Sequence, residues 1–228
     1  MPAAAPPRTI RSFVLRQGRI TRGQRTAFAK LMPHYGLDPA HGAFDFTSTF
    51  GRAARRTLEI GFGNGEALLA LARAHPGEDF LGIEVHRPGI GRLLLTLEAE
   101  PLHNVRVVCA DAVEVLQRCV PDASLDAVLL FFPDPWPKKR HHKRRLVQKE
   151  FIALLAQKLK SGGRLQLATD WPDYAAQMLA VLDSSPAFSN CADGGGYAPR
   201  PAQRPPTKFE RRGVALGHVV HDLVFVRR

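Results

Sequence analysis

The sequence predicts an α/β fold built on a mainly parallel sheet. From residue 57 onward, apolar runs of strand length alternate with segments of helical spacing. A glycine-rich turn, Glu59-Ile60-Gly61-Phe62-Gly63-Asn64-Gly65, joins the first run to the first helical segment. A later run over 125–131 is almost continuously apolar, as expected of a central strand with both faces covered.

Each element follows from local chemistry. Residues 57–60 form the first strand, and 66–74 a helix with Leu68, Leu69 and Leu71 on its apolar face. The second strand spans 80–85, the next helix 93–99, and the third strand 105–109, closed by Asp111. Strand 125–131 ends abruptly at Pro133-Asp134-Pro135. Residues 146–159 have helical spacing, which Ser161-Gly162-Gly163 stops before a strand over 164–168. Asp170 as N-cap and Pro172 in the first turn start a helix over 171–182. Gly194-Gly195-Gly196 and the Pro-rich stretch to Pro206 read as a long loop. Residues 218–226 close the chain as a strand antiparallel to its neighbour. Residues 1–50 carry Pro, Gly and scattered Arg with little periodicity. They read as a flexible or loosely packed basic extension whose short apolar pieces could dock on the core, leaving 51–228 as the one domain.

The 228 residues include 32 Lys and Arg against 21 Asp and Glu, a net charge of +11 that suits a polyanion or an anionic membrane surface. Positive charge gathers in three places: Arg8, Arg11, Arg16, Arg19, Arg22 and Arg25; Lys138 to Arg145; and Arg200 to Arg212. One such run would read as a solvated face; three favour nucleic acid. Cys109, Cys119 and Cys191 form no CxxC pair, so neither a disulfide framework nor a metal site is expected, and a reducing cytoplasm suits them. No stretch approaches the ~20 apolar residues of a membrane span. The start lacks the apolar core of a secretory signal. A cytoplasmic protein without a membrane partner is expected.

The glycine turn selects among nucleotide ligands. In a dinucleotide fingerprint the third glycine would fall at position 66, which is Glu66, and a carboxylate there opposes a pyrophosphate. That argues against a nicotinamide-dependent oxidoreductase. S-adenosylmethionine has no phosphate, and its sulfonium is cationic, so carboxylates near Gly61, Gly63 and Gly65 become favourable. Glu59 precedes the turn. Glu84 ends the second strand at the distance from which a carboxylate reaches ribose hydroxyls, and Asp111 ends the third, where it can face an adenine amino group.

Phe131-Phe132-Pro133-Asp134-Pro135-Trp136-Pro137-Lys138-Lys139-Arg140-His141 is the most specific stretch. Its prolines stiffen the backbone after a buried strand and hold Asp134 and Trp136 at the rim of the pocket. The stretch resembles the signature of tRNA (guanine-N7)-methyltransferases. Glu59 to Gly63, Ala168-Thr169-Asp170 and Thr207-Lys208-Phe209-Glu210 resemble further motifs of that family. The resemblance spans about 58–225 and leaves the first 50 residues uncovered.

The resemblance implies a Rossmann-like class I methyltransferase: a seven-stranded, mostly parallel sheet with one antiparallel strand and helices on both faces. It also implies S-adenosylmethionine as cofactor, tRNA as partner, and N7 of guanine 46 in the variable loop as target. Glu59, Glu84, Asp111 and Asp134 would contact the cofactor, with Asp134 catalytic. Lys138, Asp170, Thr207, Lys208, Phe209 and Glu210 would hold the substrate. Arg140, His141, His142, Lys143, Arg144 and Arg145 would touch RNA. Relatives of this kind are monomeric or homodimeric. Guanine N7 carries an in-plane lone pair and no proton, so no general base is demanded and either Asp170 or Glu210 is left to read the guanine edge. A methyltransferase of small molecules or proteins would have no use for the Lys138 to Arg145 run. A non-enzymatic RNA-binding module would have none for three acids around a glycine turn.

Overall fold

The computed structural model describes residues 12–13 and 18–228. Arg8, Arg11 and Arg16 of the basic leader lie outside the described residues. Seven strands form one sheet: β1 (Arg56–Ile60), β2 (Asp79–Glu84), β3 (Val105–Cys109), β4 (Leu125–Phe131), β5 (Leu159–Thr169), β6 (Phe188–Asn190) and β7 (His221–Arg227). Their order is β3-β2-β1-β4-β5-β7-β6. Strands β1 to β5 run parallel, and β7 pairs antiparallel with both β5 and β6. The expected class and its single reversed strand are thus present. The chain order reverses between β1 and β4, and at that point the C-terminal strand ends open a crevice.

The helices are α1 (Arg22–Tyr35), α2 (Phe46–Phe50), α3 (Glu66–Ala74), α4 (Arg87–Ala99), α5 (Ala112–Arg118), α6 (Lys149–Lys158), α7 (Pro172–Asp183) and α8 (Lys208–Ala215). On one face of the sheet, α5, α6 and α7 bury Leu116, Leu155, Tyr174 and Met178 against Leu58, Ile83, Leu130 and Leu167. On the other, α1, α3 and α4 bury Ala27, Leu68, Leu93 and Leu97 against Phe80, Val105 and Val107. Burying each large apolar side chain contributes roughly 1.5–3 kcal/mol. Beyond α3, among the described residues, that second face carries a small cluster, Ala67, Leu129, Phe131 and Ala168.

Two differences from the sequence reading have local causes. From residue 22 the leader is helical rather than loose. A reciprocal capping box between Thr21 and Gln24 starts α1, and Ala27 and Tyr35 are buried under it. Gly162-Gly163 do not stop a helix. Strand β5 begins at Leu159 and runs through them, with a register shift against β4 between Leu125 and Ala127. Among the described residues, no helix is long and apolar enough to cross a membrane, and no group of three His, Cys, Asp or Glu side chains is placed to hold a metal.

Candidate active site

Strand β1 delivers Glu59 to the glycine turn. Gly61 and Gly63 have φ of +74° and +57°, and a Cβ on either would meet nothing within 4 Å. The left-handed backbone therefore calls for glycine, and the space beyond stays open. Glu84, at the end of β2, is fixed by backbone N–H groups. Gly63 donates to its Oε2 at 2.8 Å, and Val85 and His86 donate to Oε1 at 2.7 and 2.9 Å. Its carboxylate is oriented without any ligand.

Glu59 is the opposite case. It is buried, and its Oε2 has no hydrogen-bond partner among the described residues. Burial, and secondarily the charge of Glu84, push its carboxyl up to about 8. At neutral pH it is protonated until positive charge arrives. Asp111 caps α5, accepting from the Val113 N–H at 2.8 Å, and its neighbours Ala110 and Ala112 face the crevice.

Gly61, Gly63, Glu84, Ala110, Asp134 and Phe209 share the wall of a cavity of about 420 Å³, with Ile60, Ile83 and Leu130 as its apolar floor. Glu59 sits behind the turn on a smaller pocket of about 60 Å³, together with Phe132, Thr207 and Phe209. An apolar slot, a fixed carboxylate at its rim and a buried acid with one unpartnered oxygen suit a nucleoside with a cationic tail. The residues present therefore fit S-adenosylmethionine.

The far wall is the proline-rich tip. Phe132 and Trp136 have φ of +53° and +45°, a strain of order 1–3 kcal/mol each that surrounding contacts must hold. Phe132 N–H donates to Ala168 O at 2.8 Å. Arg145 donates to Pro135 O at 2.8 Å, to Gln177 at 2.7 Å and to Asp173 at 2.6 Å. Its side chain is only 1% exposed. The expectation that Arg145 touches RNA is corrected: its guanidinium points inward and braces the tip. Trp136 donates to Ser12 O at 3.0 Å, lies under the Arg144 guanidinium at 4.9 Å, and meets the His141 ring edge-on. It is a packed residue, not a free stacking platform.

Lys138, Arg140 and Lys143 are exposed and Arg144 is partly so, on a 3-10 turn over Lys139–Arg144. His141 is held below its ordinary value by partial burial and then by the surrounding cations. His142 lies 3.6 Å from Asp173.

Thr207 and Glu210 form the capping box that starts α8. Glu210 is buried, and both its oxygens accept from Arg204, at 2.8 and 2.9 Å. Its carboxylate is committed within the protein, whereas the Asp170 side chain is 29% exposed. Asp170 lies 2.9 Å from His218 Nδ1, and α8 approaches it so closely that a Cβ on Gly213 would crowd its Oδ2. Lys208 and Phe209 are exposed, Phe209 by 66%.

Sequence reasoning missed three contributors: Arg204, Arg145 as a brace, and the Ser12-Phe13 and His86 lining of the larger cavity. Only His86 had a signal, since the His-Arg-Pro after Glu84 marks a helix start.

A family model described as "Putative methyltransferase" matches residues 53–223. A tRNA (guanine-N(7)-)-methyltransferase of Methylococcus capsulatus is 58% identical over 224 residues, covering 98% of this chain and 96% of that one. A protein of the same name from Pseudomonas aeruginosa is 55% identical, covering 98% and 92%. Among solved structures, the 16S rRNA methyltransferase KamB superposes with a TM-score of 0.60 at 15% identity, covering 82% and 95%. A 16S rRNA (adenine-N(1))-methyltransferase from Catenulisporales acidiphilia, solved with its cosubstrate SAM, gives 0.57 at 17% identity, covering 84% and 92%. These last two speak to the fold.

Proposed function

The chain belongs to the tRNA (guanine-N7-)-methyltransferase family, and from that premise we propose that it methylates N7 of guanine 46 in the variable loop of tRNA. It acts in the cytoplasm, as a monomer or homodimer. The observation that carries the reading is that Asp134, on its braced tip, shares one cavity with the glycine turn and Glu84.

S-adenosylmethionine, when bound, supplies an electrophilic methyl group on a sulfonium. The protein's part is positioning and electrostatics. Glu84 and Asp111 orient the nucleoside, and Glu59 offers a carboxylate to the cationic tail. Guanine N7 already has its lone pair, so no residue needs to take a proton from it. The purine gains positive charge as the bond forms, and Asp134 stabilises that charge. Asp170 accepts from the guanine N1–H and 2-amino group, while Phe209, exposed on the cavity wall, stacks on the base. Lys138, Lys208, Arg140, Lys143 and Arg144, with the ring edges of His141 and His142, follow the phosphate backbone.

The test is chemical mapping. Bulk tRNA incubated with the protein and S-adenosylmethionine, then cleaved at N7-methylguanine by borohydride and aniline, should break at guanine 46 alone. Methyl groups at another base or atom, or none, would refute the proposal.

A further inference from the structure

A second cavity lies outside the methyl-transfer site and has no role in the account above. It has a volume of about 300 Å³ and opens on the sheet face that α3 leaves uncovered. Its floor is Leu129, Phe131 and Phe80, and its rim carries Arg55, Arg164, Gln166 and Gln203, with His75 and one acid, Glu78, beside Arg55. We propose that this cavity binds a nucleotide of the tRNA substrate, phosphate against the arginines and base edge against the Gln166 and Gln203 amides. The proposal rests on the tRNA reading of the active site.

Three observations carry it. First, the donors on the rim are unspent. Among the described residues the side chains of Arg164, Gln166 and Gln203 make no hydrogen bond or ion pair, and Arg55 is held only loosely by Glu78, at 3.7 Å. The other arginine in the wall, Arg204, is neutralised by Glu210 and Asp222 and is structural. Its 2.6 Å approach to Asp222 is a charge contact rather than an aligned hydrogen bond, since Arg204 Nε and Asp222 Oδ1 both lack a partner of good geometry.

Second, the walls suit a nucleotide better than a bare ion. The arginines offer charge to a phosphate and the Gln166 and Gln203 amides offer hydrogen bonds to a base edge, while the floor beneath them, Phe80, Leu129 and Phe131, is already buried. The size also fits, because 300 Å³ holds far more than one small anion.

Third, the cavity shares one wall residue with the catalytic site. Phe131 lines all three cavities, and Phe132 follows it in the tip. From Ala127 to Phe131 the strand covers about 13 Å, a span that neighbouring nucleotides of one RNA strand bridge. Gln203 and Arg204 belong to the loop that leads into α8, so occupancy here would also steady the segment presenting Lys208 and Phe209.

The test uses the full chain with Arg164→Glu and, separately, Gln203→Glu. Both side chains are exposed and unpartnered, so thermal melting should match the parent; if one variant fails to fold, the other carries the test. Filter binding of tRNA without cofactor should weaken about tenfold for either variant. The salt dependence should fall by about one phosphate contact for Arg164→Glu. S-adenosylmethionine affinity and kcat at saturating tRNA should stay within about twofold. Unchanged tRNA affinity and salt slope in both folded variants, with the parent fully active on tRNA, would overturn the second site and leave the proposed function standing. A parent that neither binds nor methylates tRNA would overturn both.

Discussion

Glu84 and Asp134 face the same cavity, yet the walls that hold them are built differently. The Glu84 wall is made by the backbone: one N–H group of the glycine turn and the two that directly follow Glu84 fix the carboxylate. The Asp134 wall is made by distant side chains. Its left-handed Phe132 and Trp136 are kept in place by Arg145, which ties Pro135 to Gln177 and Asp173 on α7. The Glu84 side is thus set by backbone groups, and the Asp134 side by tertiary contacts that one substitution can undo. The first should tolerate most changes outside its own turn; the second should be sensitive from afar.

The sharpest way to break this contrast is at Asp134. Asp134→Ala should lower kcat by about a thousandfold, with unchanged melting temperature. Near-normal turnover would remove the residue from the chemistry. Next in size, replacing Arg140, Lys143 and Arg144 together by Ala should raise the tRNA KM about tenfold and lower the salt slope by about two. An undiminished slope would show that the run faces only solvent. Arg145→Ala separates brace from contact. It should destabilise the protein by about 2 kcal/mol and raise the tRNA KM several-fold while leaving the salt slope intact, because the guanidinium is buried. A lowered slope would return Arg145 to the RNA-binding set.

Glu59 gives the prediction with a pH signature. Its folded value, about 8, lies above the ordinary 4.5, so the folded free protein holds a proton that the unfolded chain releases. That contribution is complete below about 4.5, shrinks as pH rises, and is lost through about 8. The melting temperature of the free protein should therefore fall across that window. Glu59→Gln should flatten the fall and melt higher than the parent at pH 8.5. Parallel melting curves for the two proteins would show that Glu59 is not buried as an acid.

The difference between the walls also explains what could be read from sequence. The glycine turn, Glu84 at its strand end and the prolines around Asp134 are contiguous signals, and each lies where periodicity put it. Arg145 looked like the end of a basic run because burial is not encoded next to it; its partners Asp173 and Gln177 are about thirty residues away. Glu210 stood in a substrate motif but is claimed by Arg204, from a loop with no pattern. Helix α1 was hidden among prolines and arginines, although Thr21 and Gln24 form its capping box. Local chemistry was legible; pairings across the fold were not.

The account's central claim, that one cavity holds the methyl donor between these two walls, is tested most directly by a crystal structure with S-adenosylhomocysteine. The predicted result is a nucleoside between Glu84 and Ala110, with its sulfur turned toward Asp134. A ligand bound elsewhere, or one whose sulfur faces away from the tip, would contradict the account.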